Sequence, residues 1–157
     1  MIYPQSKDSK PLLAGELHAK KIVKEDGKSK ILNRNYFGPG TQVSKRVSRG
    51  DKGVDNLDDA GMEHDISYTY NFQEKLKRGE KVSRSDVQAV DDEFIDKVRK
   101  YANEDPKVAS ITTKAFRVKK ALEDNDLLDH TAFFNPATTG SGLNKTRKPK
   151  KRGDLIK

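Results

Sequence analysis

The chain has 157 residues, 32% of them hydrophobic and 36% charged, which suits one domain of modest size with a small core. It contains no cysteine, so disulfides, thiolate metal sites and a cysteine nucleophile are excluded. Its apolar runs are a few residues long, and we expect neither a signal peptide nor a membrane-spanning helix. The net charge of +8 is uneven: residues 140–157 carry +6, residues 1–35 carry +4 and residues 53–139 carry −5. Basic ends on an acidic body favour anionic partners.

The N-terminal third predicts a small hairpin and a glycine turn. Between residues 12 and 33, short apolar clusters flank Asp26-Gly27, a dipeptide typical of tight turns between strands. Gly38-Pro39-Gly40 predicts a second turn. Residues 41–53 are polar and basic, and we expect them to form an exposed loop.

From Val54 the pattern changes to the period of a helix. Apolar and aromatic residues, together with one histidine, recur at steps of three or four: Leu57, Gly61, His64, Tyr68 and Phe72. This spacing predicts a long helix with one face toward the core. Asp55 or Asn56 suits its N-cap, and Gly79 marks its end.

Two further helices follow. The second is predicted to begin at Ser83 or Ser85 and to end before Asp105 and Pro106, with a buried stripe of Val87, Val90, Phe94, Val98 and Tyr101. The stripe of the third is Val108, Ile111, Ala115, Val118 and Leu122. We therefore predict a mainly α fold in which two long antiparallel helices carry the site and a third packs against them, with a small N-terminal hairpin and a disordered basic tail.

The predicted organisation has three parts. Residues 1–11 are expected to form a flexible arm, residues 12–130 the folded domain, and residues 131–157 a linker and basic tail.

Polar side chains on the predicted buried stripes point to chemistry. His64 and Tyr68 are one helical turn apart and so share a face. Asp91 lies at the edge of the apolar stripe of the second helix, where a carboxylate without a donor is costly. The ring N–H of His64 or the hydroxyl of Tyr68 would supply one. The alternatives are a core histidine with an ordinary structural bond and an Asp91 that belongs to a solvated acidic face.

The glycine turn and Asp65 predict a calcium site. Gly38 and Gly40 allow backbone angles that direct successive carbonyls toward one centre, and calcium prefers oxygen ligands, many of them from the main chain. Asp65 follows His64 directly and can point to a different ligand. The alternative is an ordinary turn.

Other metal sites do not fit the sequence. The acidic residues between 51 and 59 lack the alternation, central glycine and terminal glutamate of an EF-hand. The three histidines are too scattered for a zinc site: His18, His64 and His130.

These residues together predict a metal-assisted hydrolase. Asp91 would hold the imidazole of His64, and His64 would take a proton from water. A calcium ion held by Asp65 and the turn would polarise the carbonyl or stabilise the oxyanion. No serine or cysteine nucleophile is required.

Three strings resemble the phospholipase A2-like domain of parvovirus minor capsid proteins: Tyr36-Phe37-Gly38-Pro39-Gly40, His64-Asp65-Ile66-Ser67-Tyr68, and Asp91 followed by Phe94. The resemblance covers about residues 14–122. It is to the disulfide-free viral branch, whereas secretory phospholipases A2 are rich in disulfides.

The resemblance implies calcium-dependent hydrolysis of the sn-2 acyl ester of phospholipids. His64 would be the base, Asp91 would orient it, and Tyr68 would bond to Asp91. Calcium would be bound by Asp65 and the carbonyls of Phe37, Gly38 and Gly40. The implied setting is a virion acting at the endosomal membrane of its host, with a phospholipid membrane and other capsid proteins as partners.

The basic cluster Lys145–Arg152 supports a second hypothesis of another class. Such runs bind phosphates or nuclear import receptors through charge, so the chain would be a catalytically inactive helical adaptor that acts in the nucleus. The body lacks the interleaved basic and aromatic pattern of a nucleic-acid reader. We therefore interpret the cluster as an address or a tether on an enzyme.

Overall fold

The structure is a computed structural model that describes residues 10–134. A hairpin of β1 (Lys20–Glu25) and β2 (Lys28–Asn33) precedes a short α1 (Val43–Ser48). The remaining elements are helical: α2 (Asn56–Ile66), a π-helical segment (Ser67–Gln73), α3 (Glu74–Lys77), α4 (Arg84–Lys100), a 3-10 turn (Ala102–Glu104) and α5 (Pro106–Asp124). The mainly α prediction with an N-terminal hairpin is confirmed.

The hairpin forms where the turn signal placed it. Its two strands pair antiparallel, with Glu25 opposite Lys28 at the turn. Asp26 and Gly27 both have positive φ, 52° and 75°, as a two-residue turn between twisted strands requires. Leu32 is buried, while Ile22 and Ile31 face solvent, so the hairpin contributes little to the core.

The first long helix runs without a break from Asn56 to Lys77 but changes its winding. Asp55 caps it by accepting a hydrogen bond from the N–H of Asp58 at 2.9 Å. The π-helical segment follows α2 and continues into α3. The sequence did not predict this segment, because an apolar period in one short stretch does not distinguish the two windings. π-Helical turns are rare in proteins, but those that occur often lie at functional sites.

The second long helix begins at a predicted capping signal, and the third begins at the two residues that were predicted to end the second. The side chain of Ser83 caps α4 by accepting from the N–H of Asp86. Asp105 caps α5 by accepting from the N–H of Val108, and Pro106 occupies the first helical position, where its missing N–H costs nothing.

Two apolar clusters form the core. The first joins the glycine turn to α2, α4 and α5 and contains Phe37, Leu57, Ala60, Phe94, Ile95, Val98 and Ala109. The second lies around the π-helical segment and contains Tyr68, Phe72, Val82, Val87 and Phe134. Phe134, four residues past the predicted boundary at residue 130, is thus buried in the core.

The predicted buried stripe of α5 is wrong except for Val108, which packs against the first cluster. Ile111 and Val118 are 60% and 58% exposed, whereas Ala109 and Glu123 are buried and Phe116 packs on the core. The hydrophobic pattern selected the wrong face of α5. Lys119 and Glu123 on the other face are turned inward, because they form a buried ion-pair network with Asp91.

The predicted exposed loop over residues 41–53 is also wrong. It contains α1, and three of its polar side chains are buried: Thr41, Arg46 and Asp51. The charges are buried because they are paired, and a paired charge escapes much of the cost of desolvation.

The chain ends are only partly described. Lys10 and Pro11, the last residues of the predicted arm, are hydrogen-bonded to Asn35 and Arg46. The basic cluster Lys145–Arg152 lies outside the described residues. None of the helices between residues 10 and 134 is long and apolar enough to cross a bilayer.

Candidate active site

The structure brings His64, Tyr68 and Asp91 together between the first long helix and α4. His64 Nε2 lies 2.8 Å from Asp91 Oδ1, and the hydroxyl of Tyr68 donates to the same oxygen at 2.5 Å. Asp91 is buried, while its neighbours Asp92 and Glu93 are exposed. Asp91 therefore does not belong to a solvated acidic face.

Aromatic rings enclose the imidazole of His64. Its centroid lies 4.3 Å from that of Tyr68, 4.7 Å from Phe94 and 5.4 Å from Phe116. These rings come from three different helices, so the orientation of the imidazole is fixed by packing as well as by its hydrogen bond.

The protonation of the pair follows from its surroundings. Burial alone would raise the pKa of Asp91, but the hydrogen bond and charge of His64 and the charge of Lys119 outweigh it and lower that pKa. Asp91 is thus a carboxylate, which only accepts hydrogen bonds. Nε2 of His64 must therefore carry the proton, and in the neutral ring Nδ1 holds the lone pair. Burial disfavours the charged imidazole, but Asp65 and Asp91 more than offset this and raise the pKa of His64.

Asp65 lies on the Nδ1 side of the imidazole. Its Oδ1 is 3.7 Å from Nδ1. Its Oδ2 is buried and has no hydrogen-bond partner among the described residues, an expensive state for a carboxylate oxygen. Burial raises the pKa of Asp65 and outweighs the opposing interactions with His64 and the hydroxyl of Thr41. A cation at this oxygen would relieve the cost, so the residue fits the predicted metal role.

The glycine turn is pressed against the segment before the hairpin. A Cβ on Gly38 would lie 2.2 Å from the carbonyl oxygen of Leu17, and one on Gly40, where φ is +79°, would lie 2.1 Å from that of Gly15. Only glycine fits either position.

The carbonyls of the turn keep capacity for a cation. The Phe37 carbonyl accepts from the N–H of Ala19 at 2.9 Å, and that of Gly38 accepts from the hydroxyl of Thr41 at 3.0 Å. Each carbonyl oxygen has a second lone pair. Within residues 10–134, no group of three or more acidic or histidine side chains is arranged to hold a metal, and the calcium site at the turn stays a prediction.

Asp58 anchors the turn to the first long helix. Its carboxylate accepts from the backbone N–H groups of Asn35, Tyr36 and Val54 at 2.7, 2.7 and 2.9 Å. The carboxylate of Asp58 is thus used in structural hydrogen bonds.

Two buried arginines hold the chain on either side of the turn. Arg34 bonds to Asp55 at 2.9 Å and to Asp105 at 3.3 Å. Arg46 bonds to Glu16 through two nitrogens, at 2.9 and 2.6 Å, and to Asp51 at 3.0 Å. Both guanidiniums are fully buried.

Sequence reasoning missed Lys119 and Glu123. Lys119 Nζ donates to the second oxygen of Asp91, Oδ2, at 2.6 Å, and to Glu123 at 2.5 Å. Lysine and glutamate four residues apart are common on exposed helices, and α5 carries a similar exposed pair, Lys120 and Asp124. No sequence signal distinguishes the buried pair from the exposed one.

The chain matches a known family. A family model described as a phospholipase A2-like domain matches residues 28–119, more than half of the chain. The match includes the glycine turn, the clustered polar side chains of the first long helix and α4, and most of α5. Neither a curated protein nor a solved structure showed significant similarity.

Proposed function

Since the chain belongs to the phospholipase A2-like domain family, we propose that it is a calcium-dependent phospholipase A2 that hydrolyses the sn-2 acyl ester of membrane phospholipids. The observation that carries this proposal is the 2.8 Å bond between His64 Nε2 and Asp91. It leaves Nδ1 as the proton acceptor, on the side of Asp65.

The pair supports a water-based hydrolysis. Nδ1 of His64 takes a proton from a water molecule as its oxygen attacks the ester carbonyl. Asp91 stabilises the resulting imidazolium, and Tyr68 holds the carboxylate in place. When the tetrahedral intermediate breaks its bond to the glycerol oxygen, the imidazolium returns the proton to that oxygen. The products are a free fatty acid and a lysophospholipid.

Asp65 and the carbonyls of Phe37, Gly38 and Gly40 would hold the calcium ion. The buried, unpartnered Oδ2 of Asp65 supports this assignment. Bound calcium supplies Lewis-acid polarisation of the ester carbonyl and stabilisation of the oxyanion.

The outer face of α5 supports a lipid membrane as the partner. Ile111, Val118 and Leu122 are exposed along one side of this helix. Lys107 and Lys114 flank this side and form no ion pair within the described chain. An apolar stripe beside unpaired cations is typical of helices that lie on anionic bilayers. In the viral setting, the same contact would occur between a virion, with its other capsid proteins, and an endosomal membrane.

The central experiment is fatty-acid release from phospholipid vesicles. Replacing His64 with Gln removes the proposed base, and we expect turnover to fall by about 10²- to 10⁴-fold with unchanged helical circular dichroism. His130→Gln is the matched control, because His130 bonds to the Val82 carbonyl away from the site. Activity that survives in His64→Gln, or that persists in excess EGTA, would reject the proposed reaction.

Membrane contact is tested separately by sedimentation with vesicles that contain phosphatidylglycerol. Val118→Asp should weaken binding at least about tenfold, since it replaces an apolar contact with a charge of the same sign as the lipid. Ile31→Asp is the control, because Ile31 is equally exposed on the hairpin. Equal binding by the two variants would exclude α5 as the contact surface.

A further inference from the structure

We propose that Lys119, itself held by Glu123, is a positioning residue that fixes the Asp91 carboxylate behind His64. This inference rests on the proposed function, because the reaction it serves is the hydrolysis described above. Lys119 touches neither the substrate nor the reacting atoms. It acts through Asp91.

The two oxygens of Asp91 have different partners. Oδ1 accepts from both His64 and Tyr68, and Oδ2 accepts from Lys119 Nζ at 2.6 Å. With Oδ1 alone bonded, the carboxylate plane remains free to rotate about its Cβ–Cγ bond. A second bond at Oδ2, from a different helix, fixes that plane and hence the direction in which Oδ1 meets the imidazole.

The position of Lys119 is itself fixed. Its side chain is 11% exposed, that of Glu123 is 1% exposed, and the two are 2.5 Å apart. Glu123 also accepts from the amide of Gln88 on α4 at 3.1 Å. Lys119 Nζ lies 5.7 Å from the centroid of the Tyr68 ring, within the range of a cation–π contact. The ammonium thus contacts both groups that support His64 from behind.

Lys119 also supplies the positive charge that two buried carboxylates need. Two carboxylates, Asp91 and Glu123, are buried in the same network, and a buried charge without a partner is strongly destabilising. Lys119 is the cation that both share. Charge pairing explains why α5 turns this side inward and exposes its apolar stripe.

Kinetics of the full chain on phospholipid vesicles test the proposal. Lys119→Met keeps the aliphatic stem and removes the ammonium. We expect kcat to fall about 10- to 100-fold with KM and calcium affinity within about twofold of wild type, because the ammonium acts on the base through Asp91 and touches neither the substrate nor the proposed metal ligands. Lys120→Ala is the matched control: Lys120 is half exposed and pairs with Asp124 at the same spacing. It reaches the network through one exposed bond, to Gln88 at 3.0 Å, so its kcat should stay within about twofold of wild type.

Chemical rescue separates positioning from simple helix packing. In Lys119→Ala, added ethylammonium should restore part of kcat, since it can donate N–H bonds to Asp91 from the vacated space. Tetramethylammonium has the same charge but no N–H donor and should not. Restoration by both ions, or by neither, would overturn the proposed role, as would a kcat of Lys119→Met equal to that of Lys120→Ala.

A readout without turnover keeps the inference separate from the proposed reaction. The Nε2–H proton of His64, hydrogen-bonded to Asp91, should give a downfield proton resonance that moves in Lys119→Met and stays in place in Lys120→Ala. An unmoved resonance would overturn the inference even if the wild-type chain is fully active. If the resonance moves in Lys119→Met but the wild-type chain releases no fatty acid, the positioning role of Lys119 is supported and the proposed enzymatic activity is rejected.

Discussion

Two regions of this molecule bury charged side chains, and they do so in opposite ways. Around the glycine turn, Arg34 and Arg46 are fully buried cations, each surrounded by carboxylates and backbone oxygens. Around His64, the carboxylate of Asp91 accepts hydrogen bonds from His64, Tyr68 and Lys119, and aromatic rings enclose the imidazole. The ion pairs of the first region hold the backbone in place, whereas the contacts of the second region orient side chains.

The difference follows from what each region must hold. The proposed calcium site, built from carbonyls, would need the main chain of the turn held in place, and this chain has no cysteine to form disulfides that could do it. The ion pairs of Arg34 and Arg46 connect segments far apart in sequence, as cross-links do: Glu16 with Arg46, and Arg34 with Asp55 and Asp105. The proposed proton transfer would instead need one imidazole in one orientation, which the aromatic rings and the carboxylate of Asp91 supply.

The largest expected effect comes from breaking the arginine centre. Arg46→Met leaves Glu16 and Asp51 buried without their main cation, and we expect a loss of about 3–5 kcal/mol in the free energy of unfolding. Urea denaturation followed by circular dichroism measures it. The hydrogen bonds of Asp91 to His64, Tyr68 and Lys119 should be unaffected by this substitution.

Arg49→Met is the control for that experiment. Arg49 bonds to the same Asp51 at 2.5 Å, but its side chain is 42% exposed, so its loss should cost less than about 1 kcal/mol. Equal losses in the two variants would show that the buried pair is not a special cross-link.

A smaller effect is expected when the turn itself is altered. Gly40→Ala adds a Cβ 2.1 Å from the Gly15 carbonyl oxygen at φ +79°, whereas Gly50→Ala adds one in open space at φ +77°. Backbone strain of about 1–2 kcal/mol is common to both, so the difference reports the close approach alone. We expect Gly40→Ala to weaken calcium binding in calorimetry and Gly50→Ala to leave it unchanged. Equal calcium affinities in the two variants would show that the turn does not bind the metal.

The smallest expected effect is the pH dependence of the stability that Asp55 contributes through its ion pair with Arg34. Burial alone would raise the pKa of Asp55, but its bond and charge interaction with Arg34 outweigh burial and lower it below 3.8. A lowered pKa gives stability that is present above the unfolded value and lost as the pH falls through the folded one. The stability gap between wild type and Asp55→Asn should therefore narrow below about pH 3.8. A gap that is constant, or that widens in acid, contradicts the assignment.

Helices and turns were readable from the sequence because their signals are local. Ser83 caps a helix through an N–H group three residues away, and the Asp26-Gly27 turn needs only its own two residues. Asp105 was predicted only to end a helix, and it also caps the next one. The inward face of α5 was misread since Lys119 is buried by Asp91, 28 residues earlier in the chain. Arg46 was assigned to an exposed loop for the same reason: its partner Glu16 is 30 residues away.

By itself, then, the sequence determined the hairpin, the order and limits of the long helices, and the face that His64 shares with Tyr68, because helix period and capping act within a few residues. The tertiary structure alone decided the π-helical winding, the burial of Arg34 and Arg46, and the support of Asp91 by Lys119. Whether a charged side chain is buried depends on partners that the fold brings from distant segments, and residue order alone does not specify those distances.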